Sequence, residues 1–600
     1  VGNAAENVID ITARLRGRAS MARRPDAMVE LPTDNAELVL RTVELIETCR
    51  SDAAGRSAYY RQMHQIVETG RNDGSRSLIN MLYSMLDRLS SHLCSPAELR
   101  FGMDFENEYP EEIQRRGAVA ARLIQHAWER RNTDILFARG VFDSLKYGAA
   151  IMKQWPQHLG ADRIPTYHSS LVMPWQFAVY QPEMDSLSEQ PAMVETVMLS
   201  LPQVWRRIYH MPDARRLYDR IKQHASPNNA TDVQTGPFHQ ILSTSKLNAA
   251  AGNTSRPVPG GIVQLGAEAN YGGVPGGAKA PMVKMHECWV WDGADYTTIQ
   301  VIEPDILIAP LWRRVNLLVP GLDTGLHPFT LIQPNQTTGN IWGRSEIADL
   351  IEPQDFLSTT ANDIRRLFGV QVDKILAFTG DGLTDEQYDA MRGAGYTNLG
   401  PGGSVQDLTP KFPPEALPLV DKIIQLMEMI AGFDNLLSGR GEPGVRSGEQ
   451  SNPMMKAAGA RLKDRSLIVE RQMNEAADLT LSLMEAKDGR RYWTNKDKIV
   501  ETQFLLSDLP DDRRPVVDGH TSSPIFSDDH QSLLIGGVKL GLVDSESAVE
   551  QLPFQNRDAI LARMKTRQAH EAEMVEQLKK MDPESWAKMI VATVGGPRKK

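Results

Sequence analysis

Arg440 and Arg446 are the side chains best placed for chemistry, because both ride on a glycine-rich loop, SGRGEPGVRSGEQ, between two helical stretches. Glycine leaves such a backbone free to move, and a guanidinium fork pairs with phosphate oxygens in a planar, bidentate geometry. Ser438 and Gln450 at the ends of the loop add hydrogen-bonding groups. The competing reading is a solvent-exposed connection between helices. Other near-motifs fail on spacing. In GNIWGRS, Gly339 and Gly343 enclose three residues and Arg344 follows, whereas a phosphate-binding loop needs four residues between its glycines and then a lysine. His286 and Glu287 open HECWV in a strand-like run and lack the second histidine of a zinc-protease helix. Cys49, Cys94 and Cys288 lie far apart without a CxxC pair. They offer neither a disulfide framework nor a zinc site, and they suit a reducing compartment. No GxSxG elbow occurs. The expectation is a protein with no catalytic residues, no metal and no cofactor, and so not an enzyme.

The elements that must carry the arginine loop read mainly as helices. Asp34, with Glu37 as its capping partner, opens an apolar-periodic run through Val39, Val43 and Ile46 to Gly70. Leu78, Met81, Leu82, Met85, Leu86, Leu89 and Leu93 fall on one stripe, with the methionines as core filler. A helical stretch is expected from Glu111 to Tyr147, followed by strand-like IMKQW, LVMPWQFAVY and VETVMLSL. Over 243–281 the composition shifts to Gly, Ala, Pro, Ser and Asn, too poor in large apolar residues to make a core. VKMHECWVWDG, YTTIQVIE, ILIAPLWRRVNLLV and PFTLIQP then read as four strands of a compact β module. The following helix keeps Ile347, Leu350, Ile351, Leu357, Ile364 and Leu367 on one face. Pro353 must either bend it or sit in a restarted first turn. A second amphipathic helix covers roughly 414–430. Beyond the arginine loop, Asn452 and Pro453 cap a helix reaching Lys487, about 50 Å long at about 1.5 Å per residue. The expected fold class is α+β, predominantly α.

Composition sets the bounds. At 600 residues the chain exceeds what a single core serves, and 41% apolar with 24% charged residues is ordinary globular usage. A formal net charge of −10 disfavours a tight, static grip on DNA, although acidic balance also serves plain solubility. No run reaches about 18 apolar residues and no charged-then-apolar leader pattern opens the chain, so no membrane role and synthesis in a cytoplasm are expected.

Four stretches, taken in order, resemble bacteriophage portal proteins, the head-to-tail connectors, and in particular the large portals of short-tailed phages. FDSLKYGAAIMKQW looks like the family's helix-to-strand element, with Tyr147 and Gly148 as its Tyr-Gly step. HPFTLIQPNQTTGNIWGRSEIADLIEPQDFL resembles the passage from clip to stem, with Trp342, Gly343, Arg344 and Ser345 in the aromatic-Gly-x-Ser position. GEPGVRSGEQ and the helix after it are similar to the tunnel-loop region, and the C-terminal helical block to the crown.

The resemblance implies a portal-like fold with long stem, tunnel, wing and crown helices and a small β-rich clip. It divides the chain into a flexible arm (1–33), a wing (34–242), an insertion (243–281), the clip (282–342) and a stem helix (343–370). Wing strands and loops (371–413), the tunnel helix, tunnel loop and long wing helix (414–487), a wing strand region (488–520) and the crown (521–600) complete it. LPQVWRRIYHMPDARRLYDRIKQHA is a candidate start for the first stem helix. The function implied is a homo-oligomeric ring of about twelve chains at one capsid vertex of the virion, assembled in the host cytoplasm, through which double-stranded DNA is packaged and ejected. The partners implied are the major capsid protein, the terminase large subunit that serves as packaging ATPase, and later the head-completion adaptor and tail proteins. Arg440 and Arg446 would then touch passing phosphates. Two other classes compete: a scaffold or internal ejection protein, which would not close a ring, and a DNA-handling NTPase or nuclease, which would need a phosphate loop or a metal-binding carboxylate cluster.

Overall fold

The computed structural model describes, apart from short gaps, residues 28–225, 281–307, 326–372, 413–432, 460–493 and 503–517, with short pieces at 376–379, 404–407 and 536–540 and isolated residues as far as 567. It is a mixed α and β chain in which helix predominates. Helices α1 (Asn35–Arg50), α2 (Ala53–Thr69) and α3 (Leu82–Leu93) come first. The Glu37 N–H donates to the Asp34 carboxylate at 3.2 Å, as the capping pattern predicts. The run expected to reach Gly70 as one helix is instead two, because α1 packs on a different core from α2. Leu82, Met85, Leu86, Leu89 and Leu93 form the buried stripe of α3, whereas Leu78 lies before the helix and is exposed.

Strand β1 (Phe101–Phe105) precedes α4 (Glu111–Arg131) and α5 (Thr133–Tyr147). The single helix expected there breaks at Asn132, whose left-handed φ of 52° ends α4. Asparagine is the non-glycine residue that best tolerates this conformation. Strands β2 (Ala150–Gln157), β3 (Thr166–Val172), β4 (Phe177–Val179) and β5 (Ala192–Ser200) follow. Then come α6 (Leu201–Ile208) and α7 (Ala214–His224), two short helices packed together where one long helix was a candidate.

Strands β6 (Met282–Trp291), β7 (Tyr296–Ile302), β8 (Ile306–Leu307) and β9 (Phe329–Ile332) do not close into the compact module expected of 282–342. The first three extend β4 and β5 into a five-stranded antiparallel sheet ordered β4-β5-β6-β7-β8, and β9 pairs with β2 in a separate sheet ordered β3-β2-β9. The reason is burial on both faces. β6 carries Cys288 and Val290 toward α1, and Val283, Met285 and Trp289 toward the opposite side, so it needs neighbours all round. The Gly/Ala-rich stretch 243–281 lies almost wholly outside the described residues. In sequence it falls within the long connection between the paired strands β5 and β6, where extra length costs little.

After a 3-10 turn at Ala348–Leu350 come α8 (Ile351–Val372), β10 (Leu376–Thr379), β11 (Ser404–Asp407) and α9 (Ala416–Ala431). Pro353 sits in the first turn of α8, where its missing N–H is no loss. Helix α10 (Ala460–Lys487) has 28 described residues, about 42 Å; its expected cap at Asn452 lies outside them. It crosses the three-stranded sheet and buries Val469, Met473, Ala476, Ala477 and Leu481 in the main core. Strands β12 (Tyr492–Trp493) and β13 (Gln503–Phe504) form a small pair, and β14 (Arg513–Val517) returns to β1. The expected C-terminal helical block falls mostly outside the described residues, as does most of the arm, although Val29 is buried against the five-stranded sheet.

Candidate functional site

The two motifs that the sequence singles out meet in space. Gly148 has φ +104°, and a Cβ there would lie 2.5 Å from the Trp342 carbonyl oxygen; Gly343 has φ +61°, and its Cβ would lie 2.9 Å from the Gly148 carbonyl oxygen. Each glycine is thus required twice, by its own backbone angle and by the other's main chain. Ser345 fastens the join. Its hydroxyl donates to the carbonyl of Lys146 at 2.7 Å and lies 3.2 Å from that of Leu145, so it caps the C-terminal end of α5, where helical carbonyls lack partners. Its N–H donates to the Tyr59 hydroxyl at 3.3 Å. The Arg56 guanidinium lies 3.7 Å from the Trp342 ring centroid, a cation–π contact. Arg344 instead points outward and pairs with Asp349 at the surface.

Beside this turn is a buried group of titratable side chains. The Lys146 ammonium donates to Glu68 at 3.1 Å and to His64 Nδ1 at 3.0 Å, and the Tyr147 hydroxyl is 3.2 Å from the same nitrogen. Two donors on Nδ1 make it the acceptor and place the ring proton on Nε2. Burial, reinforced by the Lys146 charge, lowers the His64 pKa to about 3. Burial likewise lowers the Lys146 pKa, with Glu68 offsetting only part of it, and raises Asp143 to about 6 against the pull of Lys146 and Arg139. With the Lys146 side chain only 6% exposed and the Ser345 hydroxyl bound to backbone, the arrangement holds the turn in place.

The turn roots a pair of helices. The start of α8 is locked into the core by Gln354 and Ser358: the Gln354 amide donates to the Ile79 carbonyl at 2.8 Å and accepts from the Met81 N–H at 3.1 Å, and the Ser358 hydroxyl reaches the Gly70 carbonyl at 2.8 Å. Leu357 and Ala361 are the last core residues, and from 362 to 371 none is buried, about 15 Å of helix. Helix α9 packs on α8, and its end carries Ile423, Met427 and Ala431 back to the core beside Ile347 and Leu350. The pair therefore runs antiparallel, one helix leaving the core and the other returning, with the antiparallel strands β10 and β11 between them in sequence. Outside the contact, Phe356, Phe368, Leu417, Leu419 and Leu426 are exposed, and Met429 is 72% exposed.

Of the predicted site residues, Trp342, Gly343, Arg344 and Ser345 lie at this root. Ser438, Arg440, Arg446 and Gln450 fall outside the described residues. Sequence reasoning missed a second buried charge group, in which the Lys153 ammonium on β2 reaches Glu195 on β5 at 2.5 Å and Glu287 on β6 at 3.2 Å, so joining the two sheets. The available signal was a charged residue at an inward position of each apolar strand. The HECWV near-motif resolves as strand alternation: His286 meets Thr196 at 3.0 Å on one face, and Glu287 points the other way. Among the described residues no cluster of His, Cys, Asp and Glu could hold a metal, and no described helix is long and apolar enough to cross a membrane. Cys49, Cys94 and Cys288 are buried free thiols, the first two pushed up to about 12 by burial, which suppresses thiolate chemistry.

No protein-family model matches the chain, and no curated protein matches it.

Proposed function

We propose that this chain is the subunit of a phage portal, a closed ring that conducts double-stranded DNA into and out of a capsid and performs no covalent chemistry itself. The observation that carries the reading is the α8–α9 stalk: two antiparallel helices rooted by the Tyr147–Gly148 and Trp342–Ser345 motifs, flanking a small β pair, with apolar side chains turned outward. A single subunit gains nothing by leaving that many apolar groups in water, whereas a neighbour packed alongside buries them. In this reading α8 and α9 are the stem helices. The β10–β11 region between them takes the place of the clip, for which 282–342 was the expected source. Capsid protein, packaging ATPase and tail adaptors are its proposed partners, and Arg440 and Arg446 its proposed phosphate contacts.

Native mass spectrometry with end-on negative-stain images tests the ring. The expected particle is a closed ring of about twelve chains with a central hole, and Leu426→Glu with Met429→Glu reduces it to smaller species. A monomer or an open filament from the unmodified chain overturns the proposal and favours another virion component.

A further inference from the structure

We propose that the α6–α7 pair is a docking patch for double-stranded DNA, gripping the phosphate backbone without reading sequence. Residues 201–224 carry six Lys or Arg against two Asp, a net of +4 within a chain of net −10. Four of these cations, Arg206, Arg215, Arg216 and Lys222, are exposed, and no hydrogen bond or ion pair holds any of them among the described residues. Unpaired arginines on a helix surface repel one another, and a polyanion relieves that repulsion while releasing its own condensed counterions.

The patch has a fixed base. Ser200 and Gln203 form a capping box at the start of α6. Val204, Ile208, Ala214 and Ile221 bury the inner face of the pair against Leu199, Val283, Met285 and Ile302 of the five-stranded sheet. The cations therefore stand on a surface already ordered before any partner arrives, which lowers the cost of binding. A duplex fits better than a single strand. Trp205 on α6 is engaged edge-to-face with Tyr218 at 5.2 Å, and single strands are held largely by stacking on free aromatic faces. Phosphate contact from arginine and lysine positions a duplex without selecting its sequence.

The patch is independent of the ring reading, and one set of samples separates the two. Binding of the full chain to a labelled 30-base-pair duplex is measured by fluorescence polarisation from 50 to 200 mM salt, alongside native mass spectrometry. Four phosphate contacts give a slope of log K against log salt of about −3.6, and so a roughly hundredfold loss of affinity across that range. The variant combining Arg206→Gln, Arg215→Gln, Arg216→Gln and Lys222→Gln keeps its fold, since all four side chains are exposed, and loses that slope together with at least tenfold in affinity at low salt. Unchanged affinity and slope in the variant, or no duplex binding by the parent chain, overturns the patch. A variant that changes the number of subunits per particle while binding the duplex as before also overturns it, and assigns the surface to a second copy of the chain. A ring that ignores DNA sinks only the patch, and a monomer that binds DNA through α6–α7 sinks only the ring.

Discussion

Lys153 and Lys146 are both buried lysines in the main body, yet their surroundings push them in opposite directions. Burial alone would lower the Lys153 pKa, but Glu195 and Glu287 close on it from two strands of the facing sheet and together raise it. Around Lys146 burial wins, because its partner Glu68 is half exposed, His64 beside it is neutral, and the pull of Asp143 is smaller still. An ammonium in the interior is secure only when its counter-charge is buried with it. The inter-sheet junction is consequently held by ions, whereas the junction at Trp342–Ser345 is held by main-chain fit, with charge as a passenger.

The sharpest break of that comparison is Lys153→Met. It leaves two carboxylates in the core without their cation and costs about 3–5 kcal/mol, read as a shift in the urea midpoint. Adding Glu195→Gln and Glu287→Gln to the same chain recovers most of that loss, since neutral amides need no counter-charge. An unchanged midpoint in Lys153→Met would mean the sheets are joined by apolar packing alone. Next in size is Gly148→Ala, placed at the other junction. A Cβ there meets the Trp342 carbonyl oxygen at 2.5 Å on a backbone at φ +104°, so a loss of about 2–3 kcal/mol is expected. If the main chain does hold this junction, Gly148→Ala costs more than removing the charge of Lys146 two residues away.

Parts of this architecture were legible in the residues and parts were not, and the division follows the range of the physics involved. The Asp34 cap and the expected Leu78–Leu93 stripe are set within a few residues and are found, save that Leu78 is exposed ahead of the helix, and of the two outcomes open to Pro353 the first-turn one is seen. Strand partners are not local. Alternation in β6 shows that Val283, Met285, Glu287 and Trp289 share a face, but nothing within the strand names β5 as its neighbour across the long 201–281 connection. The Lys153 junction was hidden for the same reason, since a charge at an inward position of each strand can be seen alone, while the meeting of the three depends on how the strands pair. The motif meeting at Gly148 and Gly343 was foreshadowed by the two motifs separately, while their contact needed the fold. Helical periodicity on both sides of Asn132 masked the break there.

The smallest expected effect is the most discriminating. Lys146→Met removes a buried cation whose Glu68 partner is half in water and can solvate its own charge, so stability near neutral pH changes by only about 1 kcal/mol. The charge does act on His64, though, and its removal raises the His64 pKa above about 3, with burial still holding it below the ordinary 6.5. The consequence for acid stability has a definite sign. With the folded-state pKa depressed, the unfolded chain takes up the proton first, so the His64 contribution is complete above pH 6.5 and is lost as the pH falls toward 3. Asp143 works the other way: its pKa of about 6 against 3.8 makes the folded state the better proton acceptor, so its contribution diminishes as the pH rises from 3.8 to 6. Lys146→Met therefore weakens the acid-side loss from His64 and, by withdrawing a neighbouring cation, raises Asp143 further. Both changes make the variant relatively more stable than the parent as the pH falls from 6 to 4. Urea midpoints measured across that interval, with the His64 ring followed by NMR, check both halves. A parallel pH profile for the two proteins would show that Lys146 does not communicate electrostatically with either group, and the contrast with Lys153 would then rest on packing.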